Sequence, residues 1–151
     1  MHTERLSSLI SAEELKTRLQ QSEPLFVFDA RGGEAGRKAF ASAHLKGARY
    51  IDLDTDLSEI KNPAKGGRHP LPQAGAFKHF VSHDLGLSHQ SHVIIYDDHF
   101  GGNAAARLWW MLRALGFMKV QVVDGGLQEI QRHGLPVVST SGLVYSDIQN
   151  K

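Results

Sequence analysis

The residues best suited to chemistry follow the most strongly apolar segment of the chain. The segment Asp97-Asp98-His99-Phe100-Gly101-Gly102-Asn103 comes directly after the apolar run 92–96 and leads into a helical pattern. In a parallel sheet, such a junction places free helix amides at the end of a strand, which suits an anion or an oxyanion. The carboxylates of Asp97 and Asp98 would repel an incoming anion. Two interpretations stay open: an acid/base or nucleophilic aspartate, and, favoured here, carboxylates that bind the loop's own amides.

Two further segments carry polar or glycine residues after predicted strands. Asp52-Leu53-Asp54-Thr55-Asp56 is similar to the nucleophile loop of haloacid-dehalogenase-type phosphotransferases, but Asp56 stands where those loops need Thr or Val. Gly32-Gly33-Glu34-Ala35-Gly36, with Asp52 about 20 residues further on, has the spacing of a dinucleotide fingerprint but is followed by a poor apolar helix face. We expect solvated acids at the first segment and a flexible loop at the second.

Nine histidines raise the question of a metal site. His79 and His83 stand four residues apart, a spacing that places two imidazoles on one helix face. No glutamate lies between them and the chain has no cysteine to complete a site. We therefore expect exposed surface histidines, with no bound metal and no other cofactor. A short basic group is expected to be solvated in the same way: Lys61, Lys65, Arg68 and His69.

Composition removes several classes of function. The absence of cysteine from all 151 residues excludes disulfides, thiolate nucleophiles, persulfide carriers and cysteine-ligated metals. The 17 basic and 16 acidic residues leave a net charge of +1, which argues against a nucleic-acid partner. No apolar stretch approaches the roughly 18 residues of a membrane span, and no signal-peptide pattern is visible. We expect a cytoplasmic protein with no membrane partner.

Apolar periodicity predicts the elements that position these residues. A capping box at Ser11 and Glu14 opens a first helix to about residue 21, and Pro72 opens a second that Gly86 ends. Further helices are predicted from Asn103 to 115 and over 126–130, alternating with apolar strands at 25–28, 48–53, 92–96 and 120–123. The alternation predicts an α/β domain over residues 1–140, with a mainly parallel central sheet and helices on both faces. Residues 141–151 are expected to be a linker or tail.

Four segments, taken together, resemble the rhodanese-like sulfurtransferases. They are Asp29-Ala30-Arg31; Phe40 to Ala48, which is close to an F-x-x-x-H-I-P-G-A signature and contains His44 and Gly47; His69-Pro70-Leu71-Pro72; and Asp124-Gly125-Gly126-Leu127. With Leu85-Gly86-Leu87, 93–97 and 107–112, the chain is similar, more narrowly, to the N-terminal half of two-domain thiosulfate or 3-mercaptopyruvate sulfurtransferases. The resemblance implies a rhodanese-like three-layer α/β fold.

The resemblance also implies a role for the loop after Tyr96. In the two-domain family, the C-terminal half carries a cysteine that takes a sulfane sulfur as a persulfide and passes it to an acceptor. Asp97 stands at the equivalent position in this chain, so residues 97–103 would form a degenerate active-site loop. Aspartate has no polarizable sulfur, and its charge repels anionic donors. By the same resemblance, Asp29, Arg31, His44 and Gly47 would be structural, with the first two forming a buried pair.

These features predict a non-catalytic rhodanese-like domain that provides a scaffold and an interface for a C-terminal catalytic rhodanese domain of the same protein. Because a helix with two adjacent tryptophans cannot point both at one core, we expect Trp109 or Trp110 to be exposed. Two alternatives stay open. One is a self-standing inactive rhodanese module with a regulatory or binding role. The other is an aspartate-dependent hydrolase or phosphotransferase that uses the loop after Tyr96.

Overall fold

A computed structural model describes residues 6–52, 74–98 and 103–139 of the chain. Its strands are β1 (Leu9–Ile10), β2 (Phe26–Asp29), β3 (His44–Leu45), β4 (Arg49–Tyr50), β5 (Val93–Tyr96), β6 (Val120–Val123) and β7 (Val137–Val138). Its helices are α1 (Ala12–Leu19), α2 (Gly33–Ser42), α3 (Ala74–His79), which continues into a π-helical turn over Phe80–Asp84, α4 (Asn103–Ala114) and α5 (Gly126–Arg132).

The central sheet has five parallel strands in the order β1-β6-β5-β2-β4, and β3 pairs with β7 in a separate antiparallel pair. Strand β2 lies between β5 and β4, with Phe28 opposite Ile95 and Asp29 opposite Tyr50. Parallel pairing places the ends of β2, β4, β5 and β6 along one side of the sheet, which we call the carboxyl edge. The residues that follow those ends are Ala30–Arg31, Ile51–Asp52, Asp97–Asp98 and Asp124.

The core has two halves, one on each face of the sheet. Alternate strand residues point to opposite faces, so Phe28 and Ile95 pack on one side while Val27 and Ile94 pack on the other. The first cluster is completed from α3, the π-helical turn and α4 by Phe77, Val81, Leu108, Met111 and Leu112. The second is completed from α1 and α5 by Leu15, Leu127 and Ile130. Helices therefore cover both faces, and the predicted three-layer α/β fold is confirmed.

The first helix begins as the capping box predicts. The Ser11 hydroxyl accepts a hydrogen bond from the Glu14 amide at 3.0 Å, which satisfies one of the amides left free at a helix start. Glu13 and Glu14 lie in the first turn, where their negative charges interact favourably with the positive end of the helix dipole. The helix ends at Leu19, close to the predicted limit at residue 21.

The flexible loop expected at residues 32–36 is wrong, because Gly32 is the N-cap of α2 and the next four residues form its first turn. Its buried position is Gly36, where a Cβ atom would lie 2.5 Å from the carbonyl carbon and oxygen of Arg31. The helix packs through backbone at this point. Its glycines are more typical of loops than of helices, which is why the sequence did not predict a helix here.

The predicted second helix is divided into α3 and the π-helical turn, in which the Leu85 amide donates to the Phe80 carbonyl at 3.0 Å. The buried residues Phe77, Val81 and Leu85 recur every four positions. An α-helix of 3.6 residues per turn would rotate such a series away from the core, and the wider turn rotates it back. Strand β4 is shorter than the predicted 48–53, and the two-residue strands β1, β3 and β7 were not predicted.

Several predictions fall outside the described residues. They concern the helix start at Pro72, the loop over residues 55–71 and the tail over residues 141–151.

Candidate functional site

A buried ion pair lies at the carboxyl edge, after β2. Asp29 is fully buried and Arg31 is 6% exposed. The Arg31 Nη2 atom donates to Asp29 Oδ2 at 2.7 Å, its Nε atom lies 3.0 Å from the same oxygen, and its backbone amide donates to Oδ1 at 3.0 Å. Nη2 also donates to the Ala43 carbonyl at 2.7 Å. The guanidinium therefore joins the end of β2 to the segment that leads into β3.

The ionisation of this pair is set by its surroundings. Burial lowers the pKa of Arg31, but the hydrogen bond and the negative charge of Asp29 outweigh it, so the pKa is raised overall. Burial also raises the pKa of the Tyr96 phenol, and the negative charge of Asp29 adds to that rise. The Tyr96 hydroxyl accepts a hydrogen bond from the Leu45 amide at 2.9 Å. Arg31 stays charged and Tyr96 stays neutral at physiological pH, and both hold β3 against the sheet.

The signature segment 40–48 surrounds the same ion pair. The His44 Nδ1 atom lies 2.7 Å from the Phe40 carbonyl, and the two rings stack with centroids 3.8 Å apart. Gly47 has a φ of 89°, which favours glycine, in a turn that the Ala48 amide closes onto the Leu45 carbonyl at 2.9 Å. Arg31 thus bonds to the residue that precedes β3, while His44 lies in β3 and Gly47 in the turn that follows it.

Asp97 lies at the end of β5 with its side chain fully buried. Its Oδ2 atom accepts a hydrogen bond from the Ala105 amide of α4 at 2.8 Å, and its carbonyl accepts one from the Leu127 amide of α5 at 2.8 Å. A carboxylate in this position stabilises the start of α4 through the helix dipole. The structural interpretation expected a bond to an amide of the loop itself, whereas this bond is made to an amide of α4.

The rest of the predicted loop is described in part. Asp98 is half-buried, and its carbonyl accepts a hydrogen bond from Gln128 Nε2 at 3.3 Å. Asn103 is the first residue of α4, whereas His99, Phe100, Gly101 and Gly102 lie outside the described residues.

The acids after β4 differ from the expectation. Asp52 was predicted to be solvated but is 2% exposed, and its Oδ2 atom lies 3.4 Å from Arg37 Nη2 of α2. Asp52 was expected to be solvated because α2, the helix that covers its carboxylate, was not predicted. Asp54 and Asp56 lie outside the described residues. Gly32 is the N-cap of α2, so the glycine segment forms the start of a helix.

The histidine pair lies on the surface, as predicted. His79 ends α3 and His83 lies in the π-helical turn, and both are exposed. Among residues 6–52, 74–98 and 103–139, no group of three or more His, Cys, Asp or Glu side chains is arranged to hold a metal ion. The basic group at residues 61, 65, 68 and 69 lies outside the described ranges.

The two tryptophans of α4 separate as expected. Trp110 is 53% exposed, whereas Trp109 is half-buried and donates from Nε1 to the Val120 carbonyl at 2.9 Å. The prediction that one of them is exposed is confirmed. None of the helices in the described part of the chain combines the length and the apolar character that crossing a membrane requires.

Comparison with known proteins places this geometry in a family. The profile described as "Rhodanese-like domain" matches residues 11–133. The chain is 35% identical over 141 residues to 3-mercaptopyruvate sulfurtransferase of Mus musculus, covering 87% of this chain and 46% of that protein. It is 34% identical over 109 residues to thiosulfate sulfurtransferase of Bos taurus, covering 72% and 35% respectively. The solved 3-mercaptopyruvate sulfurtransferase from Leishmania major matches with a TM-score of 0.73 and 29% identity, over 87% of this chain and 36% of that one.

The matched region contains the features described above. Residues 11–133 include the Asp29 and Arg31 ion pair, the signature segment with His44 and Gly47, and Asp97. The chain spans less than half the length of each of these three proteins. By sequence match and by fold, the chain belongs to the rhodanese-like family, whose members here include thiosulfate and 3-mercaptopyruvate sulfurtransferases.

Proposed function

We propose that this chain is the N-terminal, non-catalytic half of a two-domain sulfurtransferase and that it is the scaffold for a C-terminal catalytic rhodanese domain. The observation that carries the proposal is the state of Asp97. By the resemblance to two-domain sulfurtransferases, it directly follows β5 at the position where the catalytic half has its cysteine, and its carboxylate is buried against the start of α4.

The chemistry of sulfur transfer supports this assignment. A sulfane sulfur is carried on a thiolate, and the chain has no cysteine to supply one. The sulfur donors of such enzymes are anions, and the negative charge of Asp97 at the end of β5 would repel them. The buried cation of this edge, Arg31, is directed at Asp29 and the Ala43 carbonyl. The edge is therefore organised around its own internal bonds.

The partner domain is part of the same proposal. The relatives are more than twice as long as the segment that they share with this chain, which leaves room for a second domain. Trp110 presents a large aromatic surface on α4, the helix that begins at the candidate loop. Exposed aromatic side chains are frequent at protein interfaces, so we place the docking surface at Trp110.

A thiosulfate-to-cyanide assay tests the non-catalytic role. The isolated chain is expected to produce thiocyanate at the uncatalysed rate, with the Bos taurus thiosulfate sulfurtransferase as the positive control. Mass spectrometry after incubation with thiosulfate should show no added sulfur. Turnover above background, or a stable sulfur adduct on the chain, would overturn the assignment.

The scaffold role is tested on the full coding sequence. The reading frame beyond codon 151 is expected to encode a second rhodanese-like domain with a cysteine after the strand that corresponds to β5. Within that protein, Trp110→Ser should increase cleavage between the domains in limited proteolysis. Leu19→Ser, which alters an apolar residue of α1 that is 37% exposed, is the matched control and should leave cleavage unchanged. A frame that ends without a second domain would favour the self-standing inactive module.

A further inference from the structure

Two histidine rings lie face to face at the end of α3. The centroids of the His79 and His83 rings are 4.7 Å apart and their planes differ by 13°. Both residues are exposed, and the His83 side chain retains 71% of its accessible surface. Two imidazoles four residues apart on one helical surface can therefore reach one ion in solution. Spacing indicated a shared face, but the contact between the rings is a property of the folded structure.

A carboxylate orients the second ring. The Nδ1 atom of His83 lies 3.0 Å from Asp84 Oδ1. In a neutral imidazole, a hydrogen bond to a carboxylate uses Nδ1 as the donor and leaves the lone pair on Nε2. Histidines that bind metals are commonly held in this way, with one ring nitrogen donating to a carboxylate and the other facing the ion. Asp84 thus prepares His83 as a ligand.

From this geometry we infer that His79 and His83 form a two-histidine chelate for a late first-row divalent metal ion, with water in the remaining positions. Imidazole nitrogens bind such ions at about 2.0–2.1 Å, so the two ligand atoms must come within about 3 Å of each other. The stacked rings reach that geometry by tilting, which is easy for exposed side chains. Cu²⁺ is expected to bind most tightly, as the general order of divalent affinities requires. The inference is independent of the sulfurtransferase assignment, because it concerns residues outside the carboxyl edge.

Calorimetric titration with Cu²⁺ alone, in a buffer that does not bind metals, tests the chelate. His79→Gln and His83→Gln should each weaken the tightest site by about tenfold or more, because either change leaves a single imidazole. The double variant should lose little beyond either single variant, since a chelate is lost once and the two effects do not add. His89→Gln is the control. His89 is also exposed, but its Nε2 atom lies 2.9 Å from the Leu115 carbonyl, and its loss should leave the tightest site unchanged.

The orienting role of Asp84 has its own test. Asp84→Asn should weaken the same site by about tenfold while both ligands remain, the lower end of the roughly 10–100-fold range typical of carboxylates that orient metal-bound histidines. Circular dichroism should show the native helix content in every variant, because the altered side chains are exposed. The chelate is disproved if the single histidine variants bind Cu²⁺ as tightly as the unaltered chain. It is equally disproved if their losses add as for two independent sites.

Discussion

Buried polar side chains lie at both ends of the parallel sheet, but the two groups differ in the kind of partner that they bond to. At the carboxyl edge the partners are charged and close in sequence, since Arg31 bonds to Asp29 and to the Ala43 carbonyl. At the opposite end, His92 Nε2 lies 2.9 Å from Gln121 Oε1, and Gln121 Nε2 donates to the Leu9 carbonyl at 3.3 Å. We call this second group the amino-end cluster; its partners are up to 112 residues apart.

The difference shows how one sheet uses two kinds of polar closure. A buried ion pair is costly to break, because each charge left alone in the interior has lost its solvation. At the amino end, His92 Nδ1 lies 3.4 Å from Glu23 Oε2, but the partner of its Nε2 atom is the uncharged amide of Gln121. Losing an uncharged hydrogen-bond partner costs less than losing one half of a buried ion pair. The carboxyl edge should therefore dominate stability, whereas the amino-end cluster ties the edge strand β1 to the centre of the sheet.

The largest expected effect is that of Arg31→Met. This change leaves Asp29 buried without its guanidinium and should lower the free energy of unfolding by about 3–5 kcal/mol, measured by urea denaturation. Lys38→Met is the control, because Lys38 and Glu34 form an exposed pair at 3.6 Å that should contribute less than about 1 kcal/mol. If the two variants were equally stable, the ion pair at the carboxyl edge would not be a stabilising centre.

The amino-end cluster should respond less strongly. Gln121→Leu removes the acceptor that faces His92 and should lower the free energy of unfolding by about 1–3 kcal/mol in the same denaturation experiment. Adding His92→Phe should cost less than the sum of the two single effects, because the second change removes the group that the first left unpaired. A loss as large as that of Arg31→Met would contradict the contrast between the two ends.

The smallest expected effect concerns an exposed pair on α5 and depends on pH. The hydrogen bond from Arg132 to Glu129 lowers the pKa of Glu129 below its ordinary value of 4.5, and the charges of Arg132 and His133 act in the same direction. Its contribution to stability is therefore complete above that value and is lost as the pH falls through the lowered pKa. Glu129→Gln should destabilise the protein slightly at pH 7, and the difference should vanish at strongly acidic pH in thermal unfolding curves.

The elements that could be predicted have signals within their own segments. Strand β5 is a continuous apolar run, β6 is apolar except at Gln121, and the capping box of Ser11 and Glu14 indicates the start of α1. The elements that were missed depend on distant partners. Strand β1 is two residues long and exists through its pairing with β6, and α2 packs its Gly36 on the backbone of Arg31. A two-residue strand is too short to show periodicity, and the glycines of α2 are more typical of loops than of helices.

The candidate site divides in the same way. The nearness of Asp29 to Arg31, and the position of Asp97 after an apolar strand, could be predicted because these residues adjoin strands that are themselves predictable. The hydrogen bond from the Leu45 amide to the Tyr96 hydroxyl and the burial of Asp52 under α2 could not be predicted, because they join segments that no local pattern relates. In the two features that could not be predicted, a polar group bonds to a residue that is distant in the sequence and is brought near by folding.

The sequence by itself determined the fold class, the family resemblance and the absence of sulfur chemistry on cysteine, because composition, apolar periodicity and local motifs are properties of short segments. Tertiary structure decided which polar and aromatic side chains are buried, which partners they bond to and which stay exposed. It buried Arg31 against Asp29 and Ala43, turned Asp97 onto the start of α4, linked His92 to Gln121, and left Trp110 and the two histidines of α3 and the π-helical turn at the surface. The physical reason is that burial and hydrogen bonding depend on distances between segments, and those distances exist once the chain has folded.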